Sequence, residues 1–389
     1  MSRAHTNTAA RALVASLSIA VVACAPPLQT VREDRTDLPV PSLTPEQLTR
    51  FRRGDELFER PFRASQGLGP VYVRSACASC HEGDGRGPGA VERMVVLTPE
   101  GAIARDQHTL LPYGSVARPE FVAPATRGVL APDDPSVFRS LRVGPAVFGR
   151  GYIEAVDERE LERVAREQSQ RAGPVRGRVP RLGDGRVGRF GVKARIATLR
   201  EFVADALRGD MGLTSSVFAT EVTNPEGITD DQRVGIDVDD EQLDALALYV
   251  AAIDLPRREA PSPIGASLFE RARCADCHTP SLATRTDYPL AALAGRAANL
   301  YTDLLLHDMG DALADHVAEG AAGGRDWRTA PLIGLRFHRS LMHDGHARTV
   351  AEAISAHEGA RSEANESVAA YRALSADEQR SLERFVLGL

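Results

Sequence analysis

Two copies of a Cys-x-x-Cys-His pattern are the residues of this chain best suited to chemistry. The first is Cys77-Ala78-Ser79-Cys80-His81, and the second is Cys274-Ala275-Asp276-Cys277-His278. In this pattern two thiols one turn apart add across the two vinyl groups of haem, and the adjacent histidine binds the iron as an axial ligand. The sequence therefore predicts two covalently bound haem c groups.

Two other uses of paired cysteines compete with haem. Four cysteines can bind zinc, but here the two pairs lie far apart in the sequence and both carry the same trailing histidine. A redox-active dithiol is typical of a thioredoxin-like βαβ unit, and neither pair has such surroundings. Haem is therefore the favoured interpretation.

The number of ligands on each iron decides what such a protein does. An iron with two strong axial ligands mainly transfers electrons, whereas an iron with an open position binds and activates a small oxidant. Besides His5 and the two motif histidines, seven histidines remain: His108, His307, His316, His338, His343, His346 and His357. Spacing alone does not rank them as sixth ligands.

The two motifs lie in segments that repeat one another. Gly54-Asp55-Glu56-Leu57-Phe58 precedes the first motif, and Gly265-Ala266-Ser267-Leu268-Phe269 precedes the second. Each copy ends in an amphipathic helical pattern, with apolar side chains at Leu243, Leu246, Tyr249 and Val250 and at Leu382, Phe385, Val386 and Leu389. The sequence thus predicts a mainly α fold of two fused cytochrome c-like domains.

Helix-start signals and proline-rich segments predict the boundaries. Thr44 to Gln47 and Ser375 to Glu378 are capping boxes, and Pro256 to Pro263 is a linker. We predict an N-terminal domain over residues 44–257 and a C-terminal domain over 258–389. Residues 82–195 are rich in glycine and proline, which predicts a long loop-rich insertion with short helices, one of them around Asp157 to Gln168.

The first residues have the pattern of an export signal. Arg3 and Arg11 precede an apolar stretch that is too short to cross a bilayer as a mature helix. That stretch ends at Cys24 in a sequence similar to a bacterial lipobox, which predicts a signal peptide over residues 1–23 and a lipid at Cys24. The alternative is an ordinary cleaved signal with an incidental cysteine. Residues 24–43, with several prolines, are predicted to be a stiff tether.

Composition excludes several classes of protein. With 43% hydrophobic and 26% charged residues, the chain of 389 residues is neither disordered throughout nor a multi-span membrane protein. Its net charge of −6 gives no electrostatic signal for binding nucleic acid.

Several long motifs make the sequence resemble a known family, the bacterial di-haem oxidoreductases of the peroxidase type, relatives of the di-haem cytochrome c peroxidases. The resemblance rests on Gly67-Leu68-Gly69-Pro70, on residues 189–194 (RFGVKA), 209–215 (GDMGLTS) and 301–310 (YTDLLLHDMG), and on 327–332 (WRTAPL) and 342–349 (MHDGHART). Their order along the chain matches the family.

The resemblance implies a sixth ligand for the second haem. In the peroxidase relatives the segment like His343-Asp344-Gly345 is followed, fourteen residues on, by the distal ligand of the C-terminal haem, which here is His357. Ligation by both His278 and His357 would give a low-spin centre that handles electrons. His307-Asp308 and His343-Asp344 are then expected to shape the pocket of that haem without binding iron.

For the first haem no ligand emerges, and the candidates are His108, Met94 or an open position. The peroxidase relatives use the N-terminal haem for peroxide, which favours an open or weakly occupied site at His81. Cleavage of the O–O bond also needs a carboxylate that moves protons. Glu154, after the Gly144-Pro145 turn, resembles the acidic residue of the relatives, although a helix-start glutamate explains it equally well.

Two adjacent positions differ in how they compare with the family: one departs from its pattern and the other matches it. The family usually has tryptophan where this chain has Val192, and the only tryptophan of the chain, Trp327, lies in the C-terminal half. An aromatic bridge between the haems must therefore differ here. Lys193 matches the family within a set of otherwise arginine cations, so the position either needs a compact ammonium or is lysine by chance.

The sequence predicts an exported di-haem c-type oxidoreductase, a periplasmic or cell-envelope lipoprotein held to a membrane through Cys24. Hydrogen peroxide would be reduced at the N-terminal haem with electrons delivered through the C-terminal haem by a small donor protein, a cytochrome c or a cupredoxin. A calcium ion, as in the relatives, is a further expectation without assigned ligands. The alternatives are an electron-transfer cytochrome with both irons fully liganded, and an enzyme that oxidises side chains of another protein.

Overall fold

Helices are the main regular elements of the described residues, which in this computed structural model are 37–87, 89–228, 235–259 and 262–389. The predicted signal peptide, Cys24 and most of the predicted tether lie outside them. The helices are α1 Pro45–Glu59, α2 Arg150–Ala155, α3 Glu158–Gln170, α4 Leu199–Met211, α5 Asp240–Ala252, α6 Pro263–Arg271, α7 Val350–Ala356, α8 Asn365–Arg372 and α9 Ala376–Leu387.

The strands are short, and each pairs with one other strand in an antiparallel ladder. They are β1 Val71–Tyr72, β2 Ala90–Val96, β3 Glu120–Phe121, β4 Val137–Val143, β5 Leu282–Ala283, β6 Ala297–Ala298, β7 Leu306–Asp308 and β8 Asp326–Arg328. The pairs are β1 with β3, β2 with β4, β5 with β6 and β7 with β8.

Both predicted capping boxes are confirmed. The Thr44 hydroxyl accepts a hydrogen bond from the Gln47 amide while the Gln47 side chain accepts one from the Thr44 amide, so α1 begins at Pro45. Ser375 and Glu378 make the same reciprocal pair at the start of α9. Asp157 caps α3, which agrees with the helix predicted around Asp157 to Gln168.

In both copies of the repeat, the glycine of the Gly-x-x-x-Phe segment lies where two helices cross. A Cβ atom on Gly54 of α1 would clash with the Ala245 carbonyl oxygen of α5, and a Cβ atom on Gly265 of α6 would clash with the Phe385 side chain of α9. Glycine at each crossing therefore lets the first helix of the repeat lie directly against the last. The internal repeat of the sequence thus corresponds to a repeated packing unit.

A two-stranded sheet lies in the segment predicted to be loop-rich. Strands β2 and β4 pair over seven residues, from Ala90 with Val143 to Val96 with Val137. The burial of β2 does not alternate along the strand, so the period of two that identifies a half-buried strand is missing from its sequence. For these strands the prediction of a loop was wrong.

The buried apolar side chains do not divide at residue 258. The largest cluster includes Phe51 and Leu246 together with Leu293, Leu300 and Ile333. The described residues accordingly form one compact unit. The boundary near residue 258 remains a prediction. Among the described residues, no helix is both long and apolar enough to cross a membrane.

Lys193 lies in a buried cluster of charges, and its ammonium group has three acceptors. Its Nζ atom donates to the carbonyl oxygens of Gly323 and Gly324 at 2.7 and 3.2 Å and pairs with Asp315 at 2.8 Å. The side chain is completely buried. The three N–H groups of the ammonium match these three acceptors in number and direction, which the planar guanidinium of an arginine would not.

The same cluster joins distant parts of the sequence. Arg142 of β4 pairs with Asp315 and with Glu319, both at 2.5 Å, and Glu319 also lies 3.6 Å from Arg93 of β2. The aromatic face of Trp327 covers Lys193 at 4.4 Å. The cluster therefore fastens the β2–β4 sheet and the Lys193 segment to residues 315–327.

Replacing Lys193 by methionine should lower the free energy of unfolding by about 3–5 kcal/mol, because it removes one partner of a buried ion pair. Lys193→Arg should also destabilise, since a guanidinium cannot donate to these three acceptors from one point. Denaturant unfolding of the haem-loaded protein measures both changes.

Arg181→Gln is the matched control, because Arg181 forms exposed ion pairs with Glu158 and Glu162. Its effect should stay within about 1 kcal/mol. If Lys193→Met is no more destabilising than this control, the buried ammonium does not stabilise the fold.

Candidate functional site

The first Cys-x-x-Cys-His motif forms a tight turn that presents its thiols together. Residues Cys77–Ser79 form a single 3-10 turn, and the amides of Cys80 and His81 both donate to the Cys77 carbonyl oxygen at 3.0 Å. Both cysteines are free and partly buried. Burial, with the nearby Asp210 carboxylate, raises the pKa of Cys77 to about 12, so the thiol is protonated.

An apolar cavity, here the His81 cavity, opens beside this turn. Its walls are Phe58 of α1, Ala76, Cys77, Cys80, His81, residues 145–147, Arg150 of α2, Phe202, Val203, Ala206, Leu207, Asp210 and Met211 of α4, and Leu246 and Val250 of α5, with Arg74 at its edge. Large apolar cavities with a few polar groups are the usual form of cofactor sites.

His81 is kept neutral in this cavity. Burial lowers the pKa of His81 to about 4, and a neutral imidazole is the form that binds a metal. Its Nδ1 atom makes no hydrogen bond of normal geometry, although the Pro145 backbone lies near enough to raise the pKa slightly. A Cβ atom on Gly144 would lie 2.9 Å from the ring, so glycine leaves room for the imidazole.

Neither sixth ligand considered for the first haem reaches this cavity. His108 is exposed, and Met94 is buried in a separate cluster with Val96 and Leu111. Among the described residues, the cavity wall contains no histidine besides His81, and its only thioether is that of Met211. Sequence reasoning missed Met211, although it lies in the Gly209-Asp210-Met211-Gly212 motif.

Asp210 is the carboxylate of the His81 cavity. It lies near both motif thiols, whose pKa values it raises, and its backbone carbonyl accepts the Val73 amide at 2.6 Å. Burial raises the pKa of Asp210 to about 6. This carboxyl group can therefore hold a proton close to neutral pH.

Glu154 does not line the His81 cavity. Its Oε1 atom accepts the Leu199 amide at 2.7 Å, and its Oε2 atom accepts the Tyr288 hydroxyl at 2.7 Å. Leu199 is the first residue of α4, the helix that supplies one wall of the cavity. Glu154 thus anchors that helix to Tyr288 at the edge of a neighbouring surface cleft.

The second motif brings its histidine close to His357. Residues Cys274–Asp276 form the same 3-10 turn, and His357 contributes to lowering the pKa of His278, which burial brings to about 4. Nδ1 of His278 donates to the Tyr301 carbonyl at 3.0 Å, and Nδ1 of His357 donates to the Ala353 carbonyl at 2.6 Å. Because a carbonyl only accepts, the lone pair of each ring is on Nε2, where metals bind.

His307 has both ring nitrogens engaged and is not available as a ligand. Its Nε2 lies 2.9 Å from Asp303 and its Nδ1 lies 2.7 Å from Glu363, while the Cys277 sulfur is 3.8 Å away. Burial opposes the charged ring, but Asp303 holds the pKa of His307 well above 6.5. The ring is therefore an imidazolium beside the second motif, supported by two carboxylates that the sequence did not identify.

Other histidines have different surroundings. His343 stacks on Trp327 with ring centroids 4.0 Å apart, and His346 is exposed beside Asp344. His316 packs against Phe138. The amide of Arg328, next to Trp327, donates to the Val192 carbonyl at 3.0 Å, so the single tryptophan lies close to the position that is tryptophan in the resembling family.

Three buried arginines, of which Arg150 lines the His81 cavity, donate no hydrogen bond to a carboxylate of the described residues, although the charges of Asp344 and Asp303 act on Arg86 and Arg328. Arg86, Arg150 and Arg328 donate only to backbone carbonyls of the described residues, and burial lowers their pKa values to about 10, 9 and 10. His338, which lies near Arg86 and Arg150, has both ring nitrogens buried and unpaired. A buried cation needs an anion, and the two carboxylates of a haem supply that charge.

These residues fit two haem groups. Each motif offers two free thiols and a neutral histidine, and the first also has an apolar cavity. The buried arginines can pair with the haem carboxylates. The described residues also bring Cys277, Asp303 and His307 within reach of one metal ion. Of these three residues only Asp303 offers an oxygen ligand, whereas calcium takes about six to eight, so a calcium site remains a prediction.

Solved structures align with the chain at low similarity. A hydrazine synthase from Kuenenia stuttgartiensis aligns with 15% identity and a TM-score of 0.36 over 98% of this chain and 100% of the other. A MauG-like protein associated with microbial copper homeostasis gives 14% and 0.43 over 92% of each chain. The di-haem peroxidase BthA from Burkholderia thailandensis E264 gives 13% and 0.41 over 89% and 86%.

Because all three TM-scores are below 0.5, the family assignment rests on sequence. No curated protein sequence matches the chain. The model of the family described as "Di-haem oxidoreductase, putative peroxidase" matches residues 127–389, which is more than half of the chain and includes the second motif but not the first. The chain belongs to the di-haem oxidoreductase family.

Proposed function

We propose that this protein is an exported di-haem c-type oxidoreductase that reduces hydrogen peroxide at its first haem with electrons that arrive through its second. The family implies two haem cofactors and an oxidoreductase role. The observation that carries the finer proposal is the asymmetry of the two sites. His278 has His357 near it, whereas the His81 cavity is lined by one histidine only.

The residues of each motif would hold one haem. Cys77 and Cys80 would form the thioethers of the first haem and His81 its axial bond, with Arg86 and Arg150 near its carboxylates. Cys274, Cys277 and His278 would do the same for the second, with His357 as its sixth ligand. When bound, the haems supply the iron chemistry that transfers electrons and activates peroxide.

The protein's own contribution at the first site is to exclude water and hold a proton. Phe202, Val203 and Leu207 of α4 give the cavity an apolar wall. Asp210 is the carboxylate in that wall, so we assign it the transfer of protons to the departing oxygen. Glu154, which bonds the start of α4, then acts as a positioning residue.

An electron carrier without its own substrate is the second candidate. The Met211 thioether in the cavity wall favours it, because methionine is a common axial ligand of c-type haem. If Met211 closed the first iron, both centres would be fully liganded and peroxide would have no place to bind.

Electron paramagnetic resonance of the ferric protein, matured in a host that attaches haem c, separates the two functions. We expect a high-spin signal from the first haem beside a low-spin signal from the second, and loss of the high-spin signal on addition of hydrogen peroxide. Two low-spin signals that peroxide does not change would contradict the peroxidase proposal.

Met211→Leu completes this test, with Met94→Leu as its control because Met94 is buried away from the cavity. If the first site is open, neither substitution should change the spin states. Conversion of a low-spin signal to high-spin by Met211→Leu alone would instead establish the carrier.

Asp210→Asn and Glu154→Gln distinguish the two carboxylates. Asp210→Asn should slow the reaction of the protein with peroxide by about 10²–10⁴-fold, since it removes the proton donor. Glu154→Gln should mainly lower the free energy of unfolding, by about 0.5–1.5 kcal/mol, because it weakens one of two partly buried hydrogen bonds. Stopped-flow absorbance and denaturant unfolding measure the two effects, and a greater kinetic loss in Glu154→Gln would reverse the assignment.

We also propose that the chain is a cell-envelope lipoprotein held to a membrane by a lipid on Cys24 and reduced by a small cytochrome c or cupredoxin. Cys24 lies outside the described residues, and the support is the sequence pattern of residues 1–24 alone. Cys24→Ala should move the protein from the membrane fraction to the soluble fraction of the producing cells. Recovery of both forms in the soluble fraction would disprove the anchor.

A further inference from the structure

A buried tyrosine and a buried aspartate form a pair close to the first haem motif. The Tyr249 hydroxyl of α5 donates to Oδ1 of Asp84 at 2.8 Å. Tyr249 is 0% exposed and Asp84 is 4% exposed. Burying such a pair lowers the stability of the fold, because a buried phenol and carboxylate contribute less free energy of folding than two apolar side chains of the same shape.

The backbone at Asp84 has an uncommon conformation. Its φ angle of 55° lies in the left-handed region, which residues other than glycine seldom adopt. Its amide donates to the His81 carbonyl at 3.0 Å, so the loop after the motif folds back on the histidine. Strained positions of this kind are concentrated at functional sites.

The pair connects with His81 through aromatic rings. The Phe58 ring centroid lies 5.3 Å from that of Tyr249 and 6.1 Å from that of His81. Phe51 covers the other side of Tyr249 at 5.0 Å. The phenol is therefore separated from the first axial histidine by a single aromatic side chain.

The groups that face the pair are acidic. Asp55 and Glu59 of α1 and, before it, Asp37 add negative charge around Asp84, and Asp55 also interacts with the phenol. Burial, aided by these carboxylates, raises the pKa of Asp84 to about 7. The same causes raise the pKa of Tyr249, so the phenol keeps its proton at neutral pH.

We propose that Tyr249 is a redox-active residue that supplies one of the two electrons needed to reduce peroxide. This inference rests on the proposed function. Reduction of H₂O₂ to two H₂O takes two electrons and two protons, and the second haem stores one electron. The other would leave the phenol of Tyr249 for the oxidised iron at His81, while the O–H bond breaks and its proton passes to Oδ1 of Asp84.

The product is a neutral tyrosyl radical hydrogen-bonded to a protonated Asp84. An electron from the donor protein and the proton from Asp84 restore the phenol. Asp84 is thus a proton acceptor for Tyr249, and the Phe58 ring contacts both the phenol and His81. The pair would keep an oxidising equivalent inside the protein until the donor returns.

Rapid-freeze electron paramagnetic resonance of the haem-loaded full chain, mixed with hydrogen peroxide, tests this inference. We expect an organic radical whose hyperfine splitting collapses when the protein contains ring-deuterated tyrosine. Tyr249→Phe should lose this signal. Tyr152→Phe is the matched control, because the Tyr152 hydroxyl also bonds a carboxylate, that of Asp254 at 3.1 Å, and it should keep the signal.

The haem absorbance recorded in the same samples separates this inference from the proposed function. If the haem responds to peroxide but the radical is insensitive to deuterated tyrosine, or survives in Tyr249→Phe, only the role of Tyr249 is wrong. If the haem does not respond, both proposals fail. Should Tyr249→Phe not assemble, Asp84→Asn keeps the phenol without its proton acceptor, and it should also lose the signal; an undiminished radical there would overturn the inference.

Discussion

The structure depends on keeping three imidazoles neutral inside the protein. His81, His278 and His357 each have a pKa that burial lowers, and only the neutral ring offers a lone pair to iron. Burial in turn requires helices that close tightly over the two motifs. The glycines at the crossings of α1 with α5 and of α6 with α9 make that closure possible, so the packing of these helices controls the burial of the motif histidines.

The two motifs differ in the groups that surround their buried histidines. Around the second motif, carbonyl groups fix the orientation of both histidines, and the imidazolium of His307 is balanced by Asp303 and Glu363. Around the first, the wall is mostly apolar and its charged or titratable members besides the two cysteines are few: Arg74, Arg150, Asp210 and His81 itself. The second motif thus has two histidines of fixed orientation, whereas the first has a single histidine beside an apolar cavity.

Local patterns were enough to predict part of this arrangement. The thiol and histidine spacing of the motifs is set by the covalent chemistry of haem, and the capping boxes at Thr44 and Ser375 depend on residues three positions apart. The walls of the His81 cavity depend instead on contacts between distant segments. Spacing alone therefore could not predict that Met211 and Asp210 line the cavity. It also could not predict that Glu154 accepts a hydrogen bond from the first amide of α4.

The three buried arginines have a consequence for the relation between folding and haem binding. Arg86, Arg150 and Arg328 are buried and donate to backbone carbonyls, and the charges of Asp344 and Asp303 act on Arg86 and Arg328 whereas no carboxylate acts on Arg150. Burying such a cation costs free energy that a nearby anion offsets. Binding of the haem carboxylates beside these cations would then stabilise the folded state, as metal binding stabilises small metalloproteins. If the haem carboxylates pair with these arginines, we expect the native packing of this region to be complete only after the haem is bound.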